Sequence, residues 1–254
     1  MCYDIKASLE TQLIRAKRLG DDTVIAEIEE LLLPKTDLPV YHASGFSHPS
    51  LLIYTEADPN FPTVATWGLV PFWVKSEDQQ KQIWNQTLNA RCETLFEKPA
   101  FRDAATHQRC LLYVDGFYEH HHFRGKTYPF FIGRKDGNPL ILGGVYSDWR
   151  NPDSGTNLTS FTIVTTPGNS LMERIHNNPK LAGPRMPLIL VEDQANSWLQ
   201  PNHPLLKASL ENLMLPFSQE VLEVHTVARL RGKSYLGNVP EVSNPVEYSE
   251  FEGL

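Results

Sequence analysis

The chain has 254 residues, 41% of them hydrophobic, and a formal net charge of −7 at neutral pH. That apolar content can bury a substantial core, and the length is read as one domain over 1–254, while the acidic balance excludes a protein coated in positive charge for tight duplex binding. No apolar run approaches the roughly 20 residues that span a bilayer, and the start lacks the basic-then-apolar order of a secretory leader, so a soluble, cytoplasmic, monomeric protein without membrane contact is expected.

Residues 8–33 read as two short amphipathic helices, broken at Gly20-Asp21-Asp22 and stopped by Pro34. Leu9, Leu13 and Ala16 share one face of the first; Val24, Ile25, Ile28, Leu31 and Leu32 share one face of the second. From Val40 the texture changes to short β-like runs at 51–54, 65–69, 110–114, 129–132, 140–142 and 161–165. Asp115-Gly116 and Asp136-Gly137 are tight-turn signals between such runs. Helical pattern returns at 170–176, with Asn169 or Ser170 as cap, and at 192–199. A last strand at 222–227 precedes a turn-rich tail over 236–254. Many strands without regular strand–helix alternation predict an α+β fold on antiparallel sheets, forming a partly closed barrel with flanking short helices.

Three cysteines, Cys2, Cys92 and Cys110, lack C-x-x-C spacing, which argues for reduced thiols and against a disulfide framework or a structural zinc site. Removal of Met1, favoured before a small second residue, would leave the α-amine and thiol of Cys2 on one residue. Such a 1,2-aminothiol condenses with an aldehyde to an imine, which the thiol then closes to a thiazolidine. The alternative is a structural cysteine without a role. Asn89 and Arg91 flank Ala90 and should face one side of an extended segment, the guanidinium suiting a phosphate or, equally, a salt bridge to Glu93. Glu119 follows the apolar run Cys110-Leu111-Leu112-Tyr113-Val114 and the Asp115-Gly116 turn. Partial burial there would raise its pKa into a useful range for proton transfer, although a solvated strand-end carboxylate is the commoner case.

His120, His121 and His122 cannot all converge on a metal, because successive strand side chains alternate, and they are read as surface residues; no metal is expected. His176 ends a short helix before a loop, where an imidazole either reaches a cleft or merely binds the last carbonyls. A local basic groove could draw on Arg91, Arg102, Arg185, Arg229, Arg231 and Lys233, with acid concentrated at Glu27, Glu29, Glu30 and the tail.

Taken in order, Met-Cys at the start, W-G-L-V-P-x-W from Trp67 to Trp73, N-A-R-x-E-T from Asn89, D-G-F-Y-E ending at Glu119, and I-H with R-M-P-L-I-L from Ile175 to Leu190 resemble the SOS-response-associated peptidase family of abasic-site processing proteins. The resemblance spans most of the chain. It implies a covalent thiazolidine crosslink between Cys2 and an abasic site in single-stranded DNA, with possible autopeptidase and lyase activity and nucleoid association when DNA-bound. By the same resemblance Asn89 positions the α-amine and sugar, Glu119 and His176 move protons, and Arg91 holds a flanking phosphate. Thr165 and Arg185 line the DNA site, and Trp73 offers a stacking surface. No cofactor is implied, because the aminothiol is itself the reactive group.

This chain carries Tyr3-Asp4 where the family continues with Gly-Arg, replacing a basic group by an acid. It has His120 where a tryptophan is common, Tyr41-His42-Ala43-Ser44 where Tyr-Asn and a proline turn are typical, and a longer loop over 177–184. Two other readings stand beside this one: a cysteine-dependent peptidase or amidohydrolase without a DNA substrate, and a non-catalytic nucleic-acid-binding module.

Overall fold

The computed structural model describes residues 2–18, 20, 22–201 and 206–251. Met1, Asp21 of the predicted helix break and the last three residues of the tail lie outside them. The chain opens with β1 (Asp4–Ala7), then α1 (Leu9–Arg18), α2 (Asp22–Leu31), β2 (Val40–Ser44), β3 (Ser50–Thr55) and β4 (Thr63–Trp67). Next come α3 (Glu77–Trp84), β5 (Asn89–Arg91), α4 (Arg102–His107), β6 (Arg109–Val114), β7 (Gly116–Phe123), β8 (Lys126–Arg134), β9 (Leu140–Arg150) and β10 (Asn157–Pro167). The remainder is α5 (Ser170–Ile175), β11 (Arg185–Pro187), β12 (Ile189–Leu190), α6 (Glu192–Trp198), α7 (Leu206–Glu211) and β13 (Leu222–Thr226).

Two sheets result, and one of them closes. Strands β10, β4, β3, β6 and β9 pair in that order, and β9 pairs back onto β10, so five strands form a closed ring. Most pairings are antiparallel; β10 runs parallel to β4 and β5. The expected α+β fold with a barrel-like core is what the chain adopts. Alternate side chains from the five ring strands, among them Leu51, Trp67, Leu112, Leu142 and Phe161, join Cys2 and Ile5 in one core cluster. Their neighbours Leu111, Tyr113, Ile141 and Val145 pack instead with Ala104 and Ala105 of α4 and Trp198 of α6. Burial on both faces explains why Cys110-Leu111-Leu112-Tyr113-Val114 is apolar at every position instead of alternating.

The second sheet has the order β13, β8, β7, β1, β2. The chain passes from ring to second sheet at Asp115-Gly116, so that dipeptide is not the predicted hairpin turn. Gly116 begins β7, and the Asp115 carboxylate accepts from the Ser8 amide and the Ser8 and Thr11 hydroxyls at the start of α1. The hairpin in this region falls later, where Phe123 opposes Lys126 and Arg124 and Gly125 both take positive φ, the two-residue turn that suits twisted strands. Asp136-Gly137 does form a turn, with Gly137 at φ 70°.

The predicted helices lie where expected. Leu13, Ala16 and Ile28 are buried against Leu52, with Leu9, Val24, Ile25 and Leu32 around them. Leu31 departs from this, standing 49% exposed past the packed face. The predicted helix at 170–176 is α5, and Asn169 caps it by accepting from the Met172 amide at 3.0 Å.

Candidate functional site

The site forms at the N-terminal end of β1. Asp4 opposes Tyr118, and β1 offers no partner to the rest of β7, so the β7 edge from Glu119 onward opens into a cleft of about 480 Å³. Tyr3, Asp4, Glu119, His120, His176 and Arg231 are among its lining. The loop after α5 closes the far end of that edge: Asn177 accepts from the His122 amide at 2.7 Å and donates to the His122 carbonyl at 3.0 Å.

Cys2 lies two residues before the start of β1, 1% exposed, packed into the core that the ring and the second sheet share. Its carbonyl accepts from Asn89 Nδ2 at 2.8 Å. Strand β5 makes that contact possible, because parallel pairing of Asn89 with Ile163 fixes the strand on β10 while Ala90 points into the core. Asn89 Oδ1 is buried and has no hydrogen-bond partner among the described residues. Burial pushes the Cys2 thiol well above its ordinary range.

Glu119 is 7% exposed, and burial raises its carboxyl above the usual range, although Oε1 accepts from the His120 amide at 3.0 Å. Its Oε2 lies 3.7 Å from His176 Nδ1. Burial lowers the His176 ring to about 4, so the imidazole is neutral near pH 7. Nδ1 lies 3.0 Å from both the amide and the carbonyl of Arg185, so the Arg185 backbone fixes the ring's position. A carboxyl that holds its proton more tightly than usual and an uncharged imidazole, side by side, can pass a proton between them.

Of the residues singled out in the sequence, Cys2, Asn89, Glu119 and His176 are brought together here. Arg91 is exposed at the end of β5, and its charge reaches the Tyr3 phenol. Glu93, one of its two candidate partners, pairs instead with Arg185. The Arg185 guanidinium also donates to the Thr165 carbonyl at 2.6 Å and hydroxyl at 3.2 Å, so Arg185 and Thr165 hold each other beside His176 and neither lines the cleft. Trp73 donates to the Pro99 carbonyl at 3.1 Å and packs with Val70, Val74 and Trp149, away from the cleft lining.

The histidine run is not a surface feature. His121 is 8% exposed and bonds the Arg174 carbonyl at 2.9 Å, while His120 and His122 line the cleft from the opposite face of β7. Among the described residues no cluster of His, Cys, Asp or Glu could hold a metal ion. No helix among them is long and apolar enough to cross a membrane. The three cysteines are free thiols. Residue-level reading missed the aromatic pair Tyr3 and Phe46 at the mouth, with ring centroids 5.0 Å apart, and the link from Asp4 to Arg231.

A five-strand ring joined to a second sheet, with an N-terminal cysteine beside a buried acid and imidazole, defines a class that comparison with known proteins makes specific. Residues 10–234 match the family described as SOS response associated peptidase (SRAP), and the chain belongs to that family. It is 32% identical over 233 residues to the abasic site processing protein YoqW of Bacillus subtilis, covering 88% of this chain and 97% of that one. The abasic site processing protein HMCES of Pongo abelii is 29% identical over 249 residues, covering 84% and 67%. A crystal structure of a protein from Bacteroides thetaiotaomicron superposes with a TM-score of 0.82 at 30% identity, covering 97% of this chain and all of that one.

Proposed function

We propose that this protein processes abasic sites in single-stranded DNA by forming a thiazolidine between Cys2 and the ring-opened deoxyribose, as a monomer and without a cofactor. The observation that carries the reading is the grip of Asn89 on the Cys2 carbonyl, 2.8 Å away, beside the Glu119–His176 pair. Once Met1 is removed, the Cys2 α-amine adds to the sugar aldehyde to give a carbinolamine. Asn89 Oδ1, a buried acceptor with no partner among the described residues, orients that amine. Glu119, protonated more readily than an ordinary carboxyl, gives its proton to the departing hydroxyl, and water leaves as the imine forms.

The thiol then adds across the C=N bond, forming the C–S bond as the nitrogen gains a proton. One water is lost in total and nothing is oxidised. Neutral His176 carries the proton that ring opening of the sugar requires. The same pair is suited to the hydrolysis that frees Cys2, and an imine that escapes ring closure would lead to strand cleavage. Arg91 holds a flanking phosphate.

The peptidase reading is weaker on physical grounds. A cysteine peptidase needs a thiolate paired with an imidazolium, whereas burial here raises the thiol and lowers the imidazole, disfavouring both charges. The test is a denaturing gel after incubation with a single-stranded oligonucleotide bearing one abasic site, with Met1 removal verified by intact mass. A covalent band for wild type that Cys2→Ser lacks is the expected outcome. Correctly processed wild type that gives no band contradicts the proposal.

A further inference from the structure

Arg231 is the least expected member of the cleft. It sits 227 positions from Asp4, yet its Nη2 lies 3.1 Å from Asp4 Oδ2 and 3.5 Å from Oδ1. The two ends of this ion pair differ sharply: the Asp4 side chain is 3% exposed and that of Arg231 is 61% exposed. The guanidinium end of this ion pair stays open to solvent. Its geometry is nonetheless heavily specified.

Asp4 Oδ1 is also 3.0 Å from His42 Nε2, and His42 Nδ1 is 2.8 Å from the Tyr235 hydroxyl. Burial alone would raise the Asp4 carboxyl, but the His42 hydrogen bond and the Arg231 charge hold it below its ordinary value, so it stays ionised. Leu230, 2% exposed, anchors the backbone beside Arg231 among Tyr118, Phe131 and Val242. Asn238 Oδ1 accepts from the Tyr41 and His42 amides, tying the same C-terminal turn to β2.

We propose that Arg231 is the cation that grips a substrate phosphate at the cleft, and that the hydrogen-bonded chain Asp4–His42–Tyr235 exists to aim it. Asp4 engages Nη2 alone, which leaves the Nε and Nη1 hydrogens of the planar fork for an anion. With the carboxylate inside and the guanidinium outside, the pair turns its positive end to the cleft. Asp4 follows Cys2 by two residues, a backbone reach of roughly 7 Å, so the phosphate held is one next to the reacting sugar. Arg229 lines the same wall and donates to the Thr127 carbonyl at 3.3 Å, reinforcing the field. Arg91 lies on the Tyr3 side, so a single strand would be held by cations on both flanks of Cys2.

This inference rests on the DNA reading above, and its test avoids the covalent step. Wild-type protein and variants are titrated by fluorescence anisotropy with a single-stranded oligonucleotide carrying a tetrahydrofuran abasic analogue, which has no aldehyde, across salt from about 50 to about 200 mM. Arg231→Gln should raise Kd roughly tenfold and flatten the slope of log K against log salt by about 0.7, the share of one phosphate on a single strand. Arg231→Lys should restore most of the slope. Asp4→Asn should reproduce the Arg231→Gln loss, and the double variant should add nothing further.

Wild-type affinity and slope in Arg231→Gln would overturn the proposal, as would a weaker affinity with an unchanged slope. Wild type that fails to bind the oligonucleotide overturns both this inference and the DNA reading. Normal binding with no covalent band on aldehyde-bearing DNA would instead contradict the crosslinking chemistry alone.

Discussion

Glu119 and His176 show how burial acts in opposite senses on an acid and a base. Desolvation penalises whichever form is charged, so the carboxyl goes up and the imidazole goes down. Glu119→Gln keeps the shape and removes the transferable proton, so crosslinking should slow by roughly a hundredfold with an unchanged melting temperature. A wild-type rate would remove Glu119 from the mechanism. The His176 shift also has a thermodynamic consequence. As pH falls, the unfolded chain takes up a proton near 6.5 while the folded ring does so only at about 4, so acid favours unfolding. The stability this group contributes is complete above 6.5 and is lost as pH falls towards 4. Melting temperature should therefore drop more for wild type than for His176→Gln between about pH 7 and about pH 5; equal drops would contradict the assignment. At this scale the sequence was informative for Cys2, Asn89, Glu119 and His176, whose chemistry and motif context are local. It named Arg231 only as one of several basic-groove candidates and not its pairing, because nothing local to position 231 says that a carboxylate at position 4 awaits it.

At the scale of elements, the site depends on one strand being short and one helix being held. β1 ends its pairing at Asp4, and that stop exposes the β7 edge on which Glu119 lies. α5 delivers His176 from the other side, and its cap does double work: Asn169 Oδ1 accepts from Met172 while Nδ2 donates to the Phe217 carbonyl at 2.8 Å. Asn169→Ala should cost about 0.5 to 2 kcal/mol in a denaturant titration, the usual range for a lost N-cap. A loss below about 0.5 kcal/mol would mean that α5 is held by packing alone. The ring strands were legible because runs such as Leu51-Leu52-Ile53-Tyr54 are buried on both faces. Strand β1 was not, since Asp4-Ile5-Lys6-Ala7 has only a short alternation with two charges. Its Asp4 is buried only because Arg231 and His42 compensate it. Helices α3 and α4 were missed as well; their sequences Glu77–Trp84 and Arg102–His107 are polar and short.

Across the whole molecule, a chain of net charge −7 sets Arg229 and Arg231 in the cleft lining, with Arg91 near enough for its charge to reach Tyr3, while Glu27, Glu29 and Glu30 lie exposed on α2. Overall acidity therefore coexists with local cations at the cleft, and a nucleic-acid strand bound as proposed would meet those cations, not the average charge. The barrel-like α+β architecture was legible from strand density and from the absence of a strand–helix rhythm. The closure of the ring through β9 and β10 was not, because it depends on a long-range register that no local pattern announces. In the proposed reaction Cys2 uses both its amine and its sulfur, and the mass of the adduct decides whether it does. After reaction with abasic single-stranded DNA and digestion of both partners, the N-terminal peptide should equal peptide lacking Met1 plus deoxyribose remnant, less one water. It should resist borohydride and thiol-alkylating reagent alike. An adduct that borohydride reduces, or one whose Cys2 thiol still alkylates, would be an open imine and would contradict the account.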